Sequence, residues 1–244
     1  MSRKFLFAAV ATAFSVFSVA AVPSASAGII VTNVQVPYYE AFTLKSTASS
    51  PINGSSTLNL FKGVGNTEVV SIAGQIILTS NVGLLGVWCV DLFRSISLGG
   101  NYTYDEGAFT TNNSAPPVAP TALTATQIDN IGKLAAYGNF LMSTAPTNAK
   151  SAAIQAAIWN VEYGTTATGS AAFNTELANV MAALPTLTNP GGVALFSQKN
   201  SQGLFTSQGL YKPNSVPEPS TLIIMAFALL SLMGLRALRQ QASS

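Results

Sequence analysis

Cys89 is the only cysteine of the chain and lies in the segment Gly86-Val-Trp-Cys-Val-Asp-Leu-Phe93. A thiol is the strongest nucleophile this sequence carries, and an unpaired one calls for an account. The plain account is a small buried apolar residue, since free cysteine behaves that way in cores. Gln155 is the second residue of interest. It interrupts Ala152-Ala-Ile-Gln-Ala-Ala-Ile-Trp159, an otherwise apolar stretch, with Trp159 one helical turn on to cover it. Its plain account is a glutamine on a helix surface. A glutamine side chain also offers a carboxamide carbon, an acyl centre that sulfur can attack.

Composition removes most other chemistry. The chain has no histidine, which excludes Ser-His-Asp and Cys-His nucleophile systems and histidine-ligated zinc or iron sites. One cysteine excludes CxxC redox pairs and thiolate clusters. No metal and no cofactor are expected. Four of the 11 Lys+Arg lie at the chain ends (Arg3, Lys4, Arg236 and Arg239), while all 9 acidic residues lie between Gly28 and Pro219. That segment therefore carries 7 basic against 9 acidic residues, a net of −2, with no basic patch to neutralise phosphates. Nucleic acid is not an expected partner.

The elements that must position Cys89 and Gln155 follow from hydrophobic patterning. Strands are expected at Gly28–Val36, Ala41–Leu44, Ser56–Phe61, Glu68–Ser80 and Leu84–Ile96. A polar loop is expected from Gly99 to Ala122, containing Tyr102, Tyr104, Asp105 and Glu106. Thr124-Ala-Thr-Gln127 has capping-box spacing and opens a helical block. A second helix starts at Asn148 or Ser151 and stops at Gly164. A third is capped by Ser170 and followed by Pro185. Strand-like residues return from Val193 to Phe205. Strands, helices and strands without βαβ alternation predict an α+β fold: a mostly antiparallel β-sheet or sandwich with an inserted helical block.

Trp88-Cys89-Val90-Asp91 and Gln155-Ala-Ala-Ile-Trp159 together resemble the thioester domains of bacterial surface adhesins. In that family an aromatic-Cys-aliphatic-Asp-like strand meets a Gln-x-Ala-Ile-Trp helix. Ile154 stands where family members often have threonine. The resemblance spans the strand around Cys89 to the helix ending at Gly164. It implies attack of the Cys89 sulfur on the Gln155 carboxamide, loss of ammonia and a stored Cys89–Gln155 thioester. Trp88, Ile158 and Trp159 would shield it from water. Asp91, two residues from Cys89 and so on the same strand face, would orient a donor or accept a proton. The implied partners are amine or hydroxyl groups of surface proteins or polysaccharides. One acyl group is consumed per molecule, so the protein is not expected to be a turnover enzyme. The alternative is a non-covalent structural envelope or biofilm-matrix protein whose Cys89 is merely buried.

The chain ends set the destination. Arg3 and Lys4 precede the apolar run Phe5–Val22, and Ala25-Ser-Ala27 is a small-residue cleavage site, so residues 1–27 read as a signal peptide. About 190 residues remain between signal and tail, enough for a core without disulfides. Residues 28–212 are expected to form the ectodomain and 213–219 a Pro-rich linker. Residues 220–239 are expected to form a short membrane span ending in a basic stop. Arg236 and Arg239 place the C-terminus in the cytoplasm and the body outside it. Pro217-Glu218-Pro219, the apolar run Leu222–Leu235 and the two arginines resemble the PEP-CTERM sorting signal of Gram-negative bacteria. That resemblance implies an exosortase-type processing enzyme as partner, transient membrane anchoring, and then the cell surface or extracellular matrix.

Overall fold

The computed structural model describes residues 28–46, 68–92, 94–111, 121–199, 201 and 207–214. The expected signal peptide, the Ser56–Phe61 strand, the linker from residue 215 and the membrane span lie outside them. Nine strands and three α-helices occur among the described residues. The strands are β1 (Ile29–Gln35), β2 (Tyr39–Ser46), β3 (Glu68–Gly74), β4 (Ile76–Ser80), β5 (Gly83–Cys89), β6 (Tyr102–Gly107), β7 (Thr165–Thr168), β8 (Gly192–Ser197) and β9 (Leu210–Pro213). The helices are α1 (Ala125–Thr144), α2 (Asn148–Tyr163) and α3 (Ala171–Ala183). Among the described residues, no helix is long and apolar enough to cross a membrane.

The fold is mixed and its sheets are antiparallel, as the patterning predicts, but the larger sheet closes on itself. Strands β1-β4-β5-β9-β8-β6 form a barrel, and β3-β2-β7 form a separate three-stranded sheet. Closure follows from β1, which pairs with β4 on one side and β6 on the other. Strands from either side of the helical block pair directly, β5 with β9. One apolar cluster joins them: Ile29, Leu78, Val87, Leu195 and Leu210 of the barrel with Ile131, Leu134, Ile154 and Phe173 of the helices.

Several elements differ from expectation. The expected strand Glu68–Ser80 breaks at Gln75 into β3 and β4, which belong to different sheets. A Cβ at Gly74 would lie 2.1 Å from the Tyr38 carbonyl oxygen, so this crossing requires glycine. The strand expected over Leu84–Ile96 ends at Cys89. The expected loop Gly99–Ala122 contains β6, whose Tyr104 is fully buried and shares a hydrogen bond with Ser207 at 3.1 Å. The short strand β7 intervenes between α2 and α3, and β9 lies beyond the strand expected to end at Phe205.

The helix boundaries agree closely with the capping signals. Thr124 forms a complete capping box with Gln127, Ser170 caps α3, and Gly164 ends α2 in the left-handed conformation at φ 66°. Thr147 caps α2 through Lys150 N. Every residue of α2 from Ser151 to Trp159 is buried. Its alanines let α1, α3 and the three-stranded sheet all approach closely, so α2 is the central element of the helical block.

Candidate functional site

The site forms where β4 ends and α2 takes its place. The last pair between β4 and β5 is Ile76 with Val87, which leaves Trp88 and Cys89 with an open edge on that side. On the other side β9 pairs Tyr211 with Trp88 and Leu210 with Cys89, and the Val90 N–H donates to the Gly209 carbonyl at 3.0 Å. Two residues one turn apart on α2 fill this place, Ser151 ahead of β4 and Gln155 on the open edge of β5. The Gln75 N–H donates to Ser151 Oγ at 2.7 Å. The Cys89 N–H donates to Gln155 Oε1 at 2.9 Å, and Gln155 Nε2 donates to the Cys89 carbonyl at 2.8 Å. The Gln155 carboxamide thus mimics the backbone of a neighbouring strand. Cys89 and Gln155, brought together from distant segments, are both buried.

The sulfur closes a tight turn at the end of β5. Cys89 Sγ donates to the Asp91 carbonyl at 3.1 Å and accepts from the Asp91 N–H at 3.4 Å. Burial first, and then the charge of Asp91, push the thiol well above its ordinary pKa. The resting group is a neutral thiol. Asp91 does not share a strand face with Cys89, because the strand has already ended. Its carboxylate is fully buried and pairs with Arg94 at 2.8 Å, while its carbonyl also accepts from Gln208 Nε2 at 3.0 Å.

The tryptophans divide between two tasks. Trp88 stands on the opposite face of β5 from Cys89. Its Nε1 donates to Asn139 Oδ1 at 2.9 Å and its ring covers Gly138 of α1. Asn139 also accepts from Gln75 Nε2 at 2.7 Å and donates to the Gly86 carbonyl at 3.0 Å, which clamps α1 onto β5. Trp159 lies on the Cys89 side, where its indole weakly favours the thiolate. Its Nε1 is buried and makes no hydrogen bond of normal geometry. Its ring meets Phe42, which stacks on Phe173 at 4.8 Å. Ile158 is fully buried.

Sequence reasoning missed three members of this neighbourhood. Ser151 fixes the helix on the edge. Tyr163 donates its hydroxyl to the Val90 carbonyl at 3.2 Å. Glu162 is 2% exposed, and neither of its carboxyl oxygens makes a hydrogen bond of normal geometry, with the Tyr163 hydroxyl its nearest polar influence. Burial raises its pKa well above the ordinary carboxyl value, the Tyr163 hydroxyl acts in the opposite direction, and the charge of Asp91 adds to the rise. Its signal in the sequence was an acid seven residues after Gln155, on the same helix face.

Among the described residues no group of acids or thiols is arranged to hold a metal ion. At the C-terminal end, residues 215–240 match the model of the PEP-CTERM protein-sorting motif. This is an exported protein whose tail is a substrate for exosortase sorting. The match covers Pro217, Glu218, Pro219, Arg236 and Arg239 and none of the Cys89 site. No curated protein and no solved structure matches the chain.

Proposed function

We propose that this exported protein closes an internal thioester between Cys89 and Gln155 and uses it once, to attach itself covalently to an amine or hydroxyl on a partner surface. The reading is carried by the two-point grip of the Gln155 carboxamide on the Cys89 backbone. That grip holds an acyl carbon against the backbone of the residue that carries the chain's one thiol, the kind of fixed placement from which an unactivated amide gains effective molarity. The Cys89 N–H already donates to Oε1, so it stabilises the oxyanion that develops there when sulfur attacks. Asp91 N–H, already bonded to Sγ, and the nearby Trp159 indole favour negative charge on sulfur when the thioester is later opened. Buried surroundings keep water from the bond. The acyl group is consumed on attachment, so the protein is not a turnover enzyme. Its final location in this reading is the cell surface or extracellular matrix, reached through the sorting tail.

A structural reading competes, because the same two hydrogen bonds complete the β5 edge without any chemistry. Intact mass separates them. Full-length protein, purified in detergent without amine buffers, should weigh one ammonia less than its sequence beyond any terminal processing. Methylamine should release a free thiol and leave a methylamide at Gln155. Cys89→Ala and Gln155→Ala should each abolish deficit and adduct. Full mass without methylamine uptake would leave a structural envelope or matrix protein.

A further inference from the structure

We infer that the tip of the β4–β5 hairpin, with the start of β1 beside it, dips into the surface of the lipid bilayer that holds the sorting tail. It steadies the body there while the tail is attached, whether or not Cys89 and Gln155 form a thioester.

Six large apolar side chains stand exposed among the described residues, and three of them gather at this one place: Ile30 at 53%, Val82 at 59% and Leu84 at 74%. One exposed apolar residue needs no explanation, but a group of them marks a contact surface. Asn81 and Val82 form the two-residue turn between β4 and β5, which Gly83 closes at φ 105°. Asn81 ties this turn to β1. Its N–H donates to the Ile30 carbonyl at 3.0 Å, and its Oδ1 accepts from the Ile30 N–H at 2.9 Å. No charged residue occurs from Gly28 to Tyr39 or from Val69 to Val90, so β1, β4 and β5 carry none. An apolar tip on an uncharged set of strands fits hydrocarbon and headgroup boundary rather than a charged partner.

Leaving water also requires satisfied polar groups, because lipid tails offer no hydrogen-bond partners. The tip meets this need internally. Ser80 Oγ donates to the Gly83 carbonyl at 2.9 Å and accepts from the Val82 N–H at 3.3 Å. Asn81 Nδ2 donates to the Gly28 carbonyl at 3.4 Å, so both ends of its carboxamide are engaged. The tip is also in the right place. β9 runs antiparallel to β5 and so carries the chain toward the end of the barrel where β5 begins. Leu222, the start of the tail's apolar run, follows nine residues after Pro213. Nine residues reach about 32 Å at most, which keeps this end of the barrel near the bilayer. That tether favours the bilayer as occupant over a second copy of the chain.

The test uses the full chain reconstituted in phosphatidylcholine vesicles, with Cys89→Ala so that one introduced cysteine carries an environment-sensitive fluorophore. The label is placed through Val82→Cys, Leu84→Cys or Leu98→Cys. Leu98 is comparably exposed, at 67%, but lies toward the other end of the barrel, where Gly99 N–H donates to the Val34 carbonyl. Brominated acyl chains should quench the labels at 82 and 84, whose emission shifts to the blue, and should leave the label at 98 as it is in water. Ile30→Asp combined with Leu84→Asp should abolish quenching at 82 while the chain still floats with the vesicles and keeps its circular dichroism. If that double variant unfolds, the contrast between positions 82 and 98 decides by itself. Labels at 82 and 84 that remain as wet as the one at 98 overturn the inference. Equal quenching at all three also overturns it, since the body then adheres without a preferred face. A blue shift at 82 without lipid quenching assigns the tip to a protein contact instead. A chain that does not float with the vesicles removes the tether, and the inference falls with it.

Discussion

Truncating Gln155 to alanine removes the partners of both the Cys89 N–H and its carbonyl in a fully buried place. Each orphaned group costs about 1–3 kcal/mol, so Gln155→Ala should lose roughly 2–6 kcal/mol in urea unfolding. Cys89→Ala keeps both bonds and should lose less. Glu162 gives a prediction of opposite character. Its folded pKa is raised, so its contribution is fully present below the ordinary carboxyl value of 4.5 and is lost as pH rises through the folded value. Glu162→Gln should therefore match wild type near pH 4 and become progressively more stable than wild type above it, read as the difference in urea midpoint. A constant difference across pH would show that Glu162 does not titrate with folding. At this scale the sequence marked Cys89, Gln155 and Trp159, because each breaks a local pattern. It did not mark Ser151 or Asn139, whose partners Gln75 and Trp88 lie far along the chain.

Between elements, the tightest approach is that of α1 to β5. A Cβ at Gly138 would lie 2.4 Å from Trp88 Cζ2 and 2.7 Å from Ile154 Cγ2. Gly138→Ala should push α1 outward, strain the Asn139 clamp and cost about 1–3 kcal/mol or more, seen as a lower thermal midpoint. An unchanged midpoint would mean that α1 slides freely on β5. Helix ends were legible because a cap is a local event: Thr124, Ser170 and Gly164 act on residues within one turn. Strand ends were not. β5 stops at Cys89 because its sulfur binds the Asp91 backbone, and β3 gives way to β4 because Ser151 takes the Gln75 N–H. The marks they leave, Gly74-Gln75 and Asp91, are single polar or small residues inside longer apolar runs. β6 was hidden for the converse reason: Tyr-Thr-Tyr-Asp-Glu-Gly reads as polar, although Tyr104 is buried against the barrel interior.

For the whole molecule, the sorting motif predicts an exported body and a processed tail. Protease added outside spheroplasts should digest the body, and Glu218→Ala should leave unprocessed precursor in the membrane. A fully protected body or normal maturation of the variant would oppose these outcomes. Antiparallel class was legible from strands grouped on either side of a helical block, whereas barrel closure depends on long-range register between β1 and β6, which patterning does not carry. Closure has a further consequence. Neighbouring barrel strands run antiparallel throughout, so along β1-β4-β5-β9 the direction reverses at every step. β5 runs with β1, and β9 runs against both. The chain therefore enters the barrel at Ile29 and leaves it at Pro213 through one pole, just ahead of the sorting motif. Cys89, the final residue of β5, stands at the other pole with Gln155 upon it. The pair is therefore buried at the pole of the barrel opposite the one through which the chain leaves toward its sorting motif.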